Sequence, residues 1–471
     1  MQDRDQKNNL KTNSLGVSDI VFFVVAAAAP LGATLGGSPA VFAIGGSSAP
    51  ALYLCASVIL MLFAIGFAAM SRYVVSAGGF AELVKVGIGR SVGHAASGVA
   101  ILAYICMLAG IYGAFSAFNS ELVKNFTGMT ISWQLSAVMA IALVGLFGYL
   151  DVNISAKILG VLMIFEVLIL VVFDAAVLVQ SDLAAMNVSN FIPVDFSAPG
   201  LGVALMFAFA CFVGFESTTL YGEEAKNPHT TIPRATYIAI ALIGVFYTLT
   251  TWCLGIAYSG SDIQAAATDD LVNFVFNMNT RYVGLWSTQL MQLLAVTSLF
   301  AVLLSFHNAL CRYLFSLARS RFLFSSLSRV HKKYSSPHRA SLALSAITLA
   351  ILLAFMFTGA DPIGNLYMWM VAVGTLAILV LQAMGAVAVI AYFKKTGKGF
   401  FWQGFAAPLL GGAGLIVVIV LALSNFQALT GSHSELASLL PWLVPIAAGV
   451  GIINGRRKSA NFQANELPTS T

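Results

Sequence analysis

Inside long apolar runs sit residues that such runs normally exclude: Pro30, Gly32, Gly36, Gly37 and Pro39 in the first, and Gly214 and Glu216 in the sixth. Proline removes an amide donor and glycine destabilises helix by roughly 1 kcal/mol, so a helix carrying them is expected to break near its middle. A broken helix exposes free carbonyls on one side, and free amides with the positive end of a dipole on the other. Those groups suit a small zwitterion. The carbonyls near Ala27, Ala28 and Ala210 can take an ammonium, and the amides from Gly32 to Ala33 a carboxylate, with no charged side chain buried for the purpose.

Ionisable residues in the same runs are few. Lys157 lies near the start of the fifth run, where a charge in apolar surroundings costs on the order of 2.5 to 3.5 kcal/mol on insertion scales. It either snorkels to the membrane surface or has a function inside it. Glu216 follows the second break, and can act as a gate that is neutral at one stage and charged at another, or make a structural hydrogen bond. Glu166 and Asp174 read as interior hydrogen-bonding or rim residues and His307 as a packing residue. Selectivity for a side chain is expected from Phe209, Cys211, Phe212 and Phe215 beside Gly214, and from Tyr104, Met107 and Tyr112 on the third helix. The third and tenth helices lack an internal carboxylate, so a second ammonium would have no counter-charge and a neutral solute is favoured.

The elements that must position these residues follow from composition. The 471 residues are 59% hydrophobic and 9% charged, against about a quarter charged in soluble domains, and mean hydropathy is +0.88. An ordinary soluble enzyme is excluded. Apolar segments run over 17–47, 51–71, 93–117, 131–150, 153–180, 200–222, 235–259, 284–315, 340–359, 364–393, 402–424 and 437–454, about twelve spans. They are too long and too uniformly apolar for barrel strands, so the expected fold is an all-α polytopic membrane protein. No cleaved signal peptide is expected.

The 24 Lys and Arg against 19 Asp and Glu are distributed by side. Lys and Arg crowd the N-terminus, the even-numbered connections and the C-terminus, while the opposite loops hold only Lys124 and Arg281. The positive-inside rule then places both termini in the cytoplasm and makes the basic clusters a topology signal, so no nucleic acid partner is expected. Cys55, Cys106, Cys211, Cys253 and Cys311 are scattered singly and read as reduced packing residues. Metal-ligand spacing, a nucleophile elbow and a phosphate-binding Gly-Lys-Ser/Thr stretch are all absent, so neither an enzyme nor a metal site is expected.

Breaks in the first and sixth helices, five helices apart, are the pattern of inverted five-helix repeats with a site at the midplane. With them, several stretches resemble the amino acid, polyamine and organocation (APC) superfamily of permeases. These are Gly214-Phe-Glu216 with Glu223-Glu-Ala-Lys-Asn-Pro228 and Ile232-Pro-Arg234, Arg72 with Ala77-Gly-Gly-Phe80, Phe306-His-Asn-Ala309 with Arg312 to Arg319, and Ser155-Ala-Lys157. In place of the compact Gly-Ser-Gly cluster of many members, the first helix has Pro30-Leu-Gly-Ala-Thr-Leu-Gly-Gly37.

The resemblance implies two inverted five-helix repeats plus two extra helices. The expected organisation is a cytoplasmic tail over 1–16, a transporter core over 17–395, helices 11 and 12 over 396–456 and a cytoplasmic tail over 457–471. It implies a secondary active transporter in the cell's inner membrane, importing an amino acid by proton symport with alternating access. The alternatives are an amino acid/amine exchanger and an amine or polyamine importer. The proton is the only coupling ion expected, and no cofactor. In this family a lysine between helices 1, 5 and 8 can stand in for a cation, which gives Lys157 a proton-coupling role, and the glutamate at the Glu216 position is linked to gating.

Overall fold

The computed structural model describes residues 15–74, 79–150, 156–182, 186, 188–191, 200–221, 225–259, 262–331, 333–334, 336–429 and 435–466. Helix dominates, because hydrocarbon offers no partner for backbone polar groups and each segment must satisfy its own. The first half comprises α1 (Val17–Ala28), α2 (Pro30–Gly45), α3 (Ala49–Ser71), α4 (Gly79–Gly87), α5 (Arg90–Thr127), α6 (Trp133–Tyr149), α7 (Ala156–Gln180) and α8 (Leu201–Ala210). The second comprises α9 (Pro228–Ala257), α10 (Ile263–Asp269), α11 (Phe274–Tyr282), α12 (Leu285–Arg319), α13 (His338–Phe357), α14 (Met368–Thr396), α15 (Ala407–Ser424), α16 (Glu435–Leu439) and α17 (Leu443–Glu466). Ten helical stretches among the described residues are long and apolar enough to cross a bilayer, and Val17–Ala26 and Trp133–Tyr149 are shorter apolar helices. The protein is an all-α, multi-pass membrane protein.

Burial sorts the helices into a centre and a rim. The stretch Leu201–Thr218 is 78% buried within the protein, whereas Ala437–Arg456 is 17% buried. The outer helices present Leu, Ile and Val outward, as Leu409, Ile416 and Val420 do on α15, the arrangement expected where the surrounding solvent is lipid. α2 is buried along most of its length. Both helices expected to be interrupted therefore lie in the centre.

Both are interrupted. α1 ends at Ala29, which is left-handed at φ 45° and ψ 72°, and Pro30 opens α2. Proline has no amide to lose at the first helical position, so it restarts a helix where it cannot continue one. The glycine-rich stretch after it does not unwind: α2 runs through Gly32, Gly36, Gly37 and Pro39 without a stop. Its glycines serve contact instead. A Cβ on Gly36 would lie 2.9 Å from the Tyr367 hydroxyl, and one on Gly37 would strike the Cys211 sulfur, the close approach that small residues permit between membrane helices. In the sixth helix, α8 stops at Ala210, and the chain turns through Cys211–Gly214 before the 3-10 helix Phe215–Tyr221. Gly214 at φ 116° takes a conformation that L side chains rarely adopt.

Some boundaries differ from the sequence reading. α5 spans 38 residues, extending the 93–117 segment at both ends. α17 continues to Glu466, into the stretch read as a tail. The connection between α9 and α12 holds α10 and α11, and Gln264 of α10 donates to the Ala43 carbonyl at 3.0 Å, fastening that connection to the end of α2. A parallel bridge joins Leu15 to Ala225, with the Lys226 amide donating to the Leu15 carbonyl at 2.9 Å. All five cysteines are free, and four of them are buried as packing residues while Cys55 is exposed.

Candidate functional site

At the first interruption, the first three residues of α2 make no intrahelical amide hydrogen bond, and the ladder begins with the Ala33 amide donating to the Ala29 carbonyl at 2.9 Å. Pro30 has no amide. The Leu31 amide donates to Glu166 Oε2 of α7 at 3.4 Å, which leaves the Gly32 amide without an acceptor among the described residues. A carboxylate at a helix N-terminus is held by those amides and by the dipole. Glu166 is buried and takes Ser298 of α12 as a second partner, so it joins α2, α7 and α12. On the other side of the gap, the Ala28 carbonyl accepts the Tyr247 hydroxyl of α9 at 3.3 Å.

The second interruption is held from within its own strand of chain. Glu216 folds back so that Oε2 accepts the Gly214 amide at 2.9 Å, and Oε1 accepts the Tyr104 hydroxyl of α5 at 3.2 Å. Phe212 packs edge-on against Tyr247 with centroids 6.0 Å apart. The Ala210 carbonyl accepts the Val213 amide at 3.1 Å and keeps a second lone pair.

The two interruptions meet at Cys211. Its thiol donates to the Ala33 carbonyl of α2 at 3.8 Å and lies 3.3 Å from the Tyr53 hydroxyl of α3, which is itself 3.4 Å from Ser38 of α2. Tyr53 in turn packs on Tyr247, centroids 5.8 Å apart. Ala28, Gly32, Ala33, Ala210, Cys211, Phe212, Gly214, Glu216 and Tyr104 are thus gathered at or around the two gaps. Phe209 is buried in α8 one residue before the second.

Other expected residues lie elsewhere. Phe215 turns to α3, edge-on to Phe63 and Phe67 at 6.4 Å each. Met107 takes Thr375 of α14 as its polar neighbour, and Tyr112 is fully buried. His307 Nε2 lies 2.9 Å from Ser341 of α13 in a packed, buried position. Ala27 and Lys157 are helical, but their side chains fall outside the described residues.

Three residues central to this geometry were not placed there by sequence reasoning: Glu166, Tyr247 and Tyr53. A faint signal existed for Glu166 alone, a carboxylate deep in an apolar run, which is rare without a reason. Asp174, two turns further along α7, is also buried. It accepts the Thr250 hydroxyl at 2.8 Å through Oδ2, while Oδ1 has no partner among the described residues.

A centrally buried pair of interrupted helices, meeting side by side in an all-α bundle, defines a multi-pass membrane protein with unpaired backbone polar groups in its interior. Its family is established by comparison with known proteins. The chain belongs to the amino acid permease family, whose model matches residues 15–452. It is 25% identical over 340 residues to the branched-chain amino acid permease BcaP of Bacillus subtilis, covering 71% of this chain and 65% of that protein. It is 25% identical over 360 residues to cationic amino acid transporter 5 of Arabidopsis thaliana, covering 73% and 59% respectively. A shorter match, 29% identical over 196 residues, covers 40% of this chain and 44% of the L-methionine/branched-chain amino acid exporter YjeH of Escherichia coli.

Proposed function

We propose that this protein is a secondary active transporter that imports a neutral amino acid together with a proton by alternating access. In this reading the helices form two inverted five-helix repeats with two additional helices, in the cell's inner membrane with both termini cytoplasmic. The names of the relatives support an amino acid as substrate, and the lack of an internal carboxylate on the third and tenth helices is what favours a neutral one. The observation that carries the coupling is the contact of Glu166 with the Leu31 amide.

A substrate carboxylate is expected to seek the same end of α2, where the Gly32 amide is open and the dipole is positive. Two carboxylates at one helix terminus repel each other, so a charged Glu166 excludes the substrate and a protonated one admits it. Proton and substrate then favour each other's binding, so the doubly loaded carrier is the form that accumulates and crosses. The substrate ammonium is taken by the free lone pairs of the Ala28 and Ala210 carbonyls, and aromatic side chains around Phe212 receive its side chain. Glu216 serves as a gate, because protonating it would replace two charge-assisted hydrogen bonds, from the Gly214 amide and the Tyr104 hydroxyl, by weaker ones to a neutral carboxyl. Lys157 lies in the first turn of α7, nine residues before Glu166, and is the alternative carrier of the coupling proton.

The test is uptake in proteoliposomes from a radiolabelled panel of amino acids and amines under an imposed pH gradient. Accumulation of a neutral amino acid is expected, falling as pH rises on the uptake side, since the proton is a co-substrate. Glu166→Gln should keep substrate counterflow and lose accumulation driven by the pH gradient. Accumulation still driven by the gradient in Glu166→Gln would overturn the coupling role, and counterflow of amino acid against amine with no response to pH would replace symport by exchange.

A further inference from the structure

A cavity lies where α3 and α14 end and the chain enters α15. Its volume is about 290 Å³, and its lining includes Arg72, Tyr73, Phe393, Gly399, Phe400 and Gln403. Arg72 follows the last residue of α3, and its buried Nε has no hydrogen-bond partner among the described residues. Among the described residues no acidic side chain lines the cavity. Lys398 places its ammonium 5.4 Å from the centre of the Tyr73 ring, and Lys394 and Lys395 complete the last turn of α14. The rim carries exposed aromatics: Phe400, Phe401 and Trp402 are 79%, 74% and 49% exposed.

We propose that this cavity binds the phosphate headgroup of an anionic phospholipid. Arg72 brings to the lining a planar guanidinium, which matches phosphate oxygens in a way an ammonium does not, and Lys398 supplies a second positive charge on a flexible stem. The Gln403 amide can donate to a phosphate oxygen or accept from a glycerol hydroxyl. The exposed aromatics set the depth, because such rings settle at the headgroup level of a bilayer, which favours a lipid over a soluble anion. Basic pockets between membrane helices at that level are suited to anionic headgroups. The cavity's size suits the headgroup, leaving the acyl chains along the outer face beside α15.

The experiment is native mass spectrometry of the intact protein in detergent, titrated separately with phosphatidylglycerol, phosphatidylcholine and inorganic phosphate. Phosphatidylglycerol is expected to be retained at stoichiometric level and phosphatidylcholine not. Arg72→Gln and Lys398→Gln should each weaken retention by about fivefold, and Arg72→Lys should weaken it less than Arg72→Gln. Lys398 is exposed, so its variant reports even where a change at Arg72 impairs folding. Equal retention of the two lipids, or unchanged retention in Lys398→Gln and Arg72→Lys together, would overturn the site. Displacement of phosphatidylglycerol by millimolar inorganic phosphate would overturn the lipid assignment in favour of a free anion.

Discussion

The two interrupted helices differ in how their loose ends are held. At the first, the gap is a single left-handed residue, Ala29, followed at once by Pro30. Its polar ends are answered by other helices: Glu166 of α7 at the amide and Tyr247 of α9 at the carbonyl. At the second, four residues turn between α8 and the 3-10 helix, and the answering carboxylate, Glu216, lies two residues after the amide it binds. A gap held from outside moves when its neighbours move. A gap held by its own chain carries its partner along. The first is therefore suited to sensing a proton on α7, and the second to acting as a self-contained gate reporting to α5 through Tyr104.

The largest effect should come from forcing the two regions apart. Gly37→Ala drives a methyl into Cys211, an overpacking that costs about 1 to 3 kcal/mol of stability and should lower the initial uptake rate by about tenfold or more where the same strain falls on the transport cycle. Cys211→Ala in the same chain should restore most of that rate. Two independent defects with no rescue would show that the regions are not pressed together as described.

A smaller change sharpens the contrast in how the gaps are held. Tyr104→Phe removes one of the partners of Glu216 and leaves the Gly214 amide. It should slow uptake by about tenfold, the value of a hydrogen bond to a charged group, with a shifted pH profile. Tyr247→Phe removes the hydroxyl that answers Ala28 and should cost about 1 kcal/mol of stability, read as a lower melting temperature in detergent. An unshifted pH profile in Tyr104→Phe would remove Glu216 from the titrating role.

The smallest effect has the opposite sign. Ala29 is one of two non-glycine residues with positive φ among those described, so Ala29→Gly should raise stability by up to about 1 kcal/mol. Gly214→Ala, at φ 116°, should lower it. Melting curves of the two variants compare the gaps directly, and shifts in the same direction would contradict the account of both.

Pro30 and the Gly214-Phe-Glu216 stretch were readable in the sequence because their physics is local: a missing amide, a residue tolerant of positive φ and a carboxylate in an apolar run. The all-α membrane fold was readable for the same reason, since each apolar segment satisfies its own backbone. Gly32, Gly36 and Gly37 misled as helix breakers, because a glycine's effect depends on what packs against it, and here Leu299, Tyr367 and Cys211 fill the space. Glu166 and Tyr247 were hidden because their partners are 135 and 219 residues away in the chain. Nothing in α7 alone separates a carboxylate facing a helix terminus from one facing a serine.

The direct test of the paired gaps as a binding site is the rate at which a small methanethiosulfonate reagent modifies Cys211, read by peptide mass spectrometry with and without saturating amino acid. Substrate seated between the gaps should slow modification of Cys211 severalfold. Equal rates at Cys211, measured with an amino acid that the protein demonstrably transports, would contradict the placement of the site.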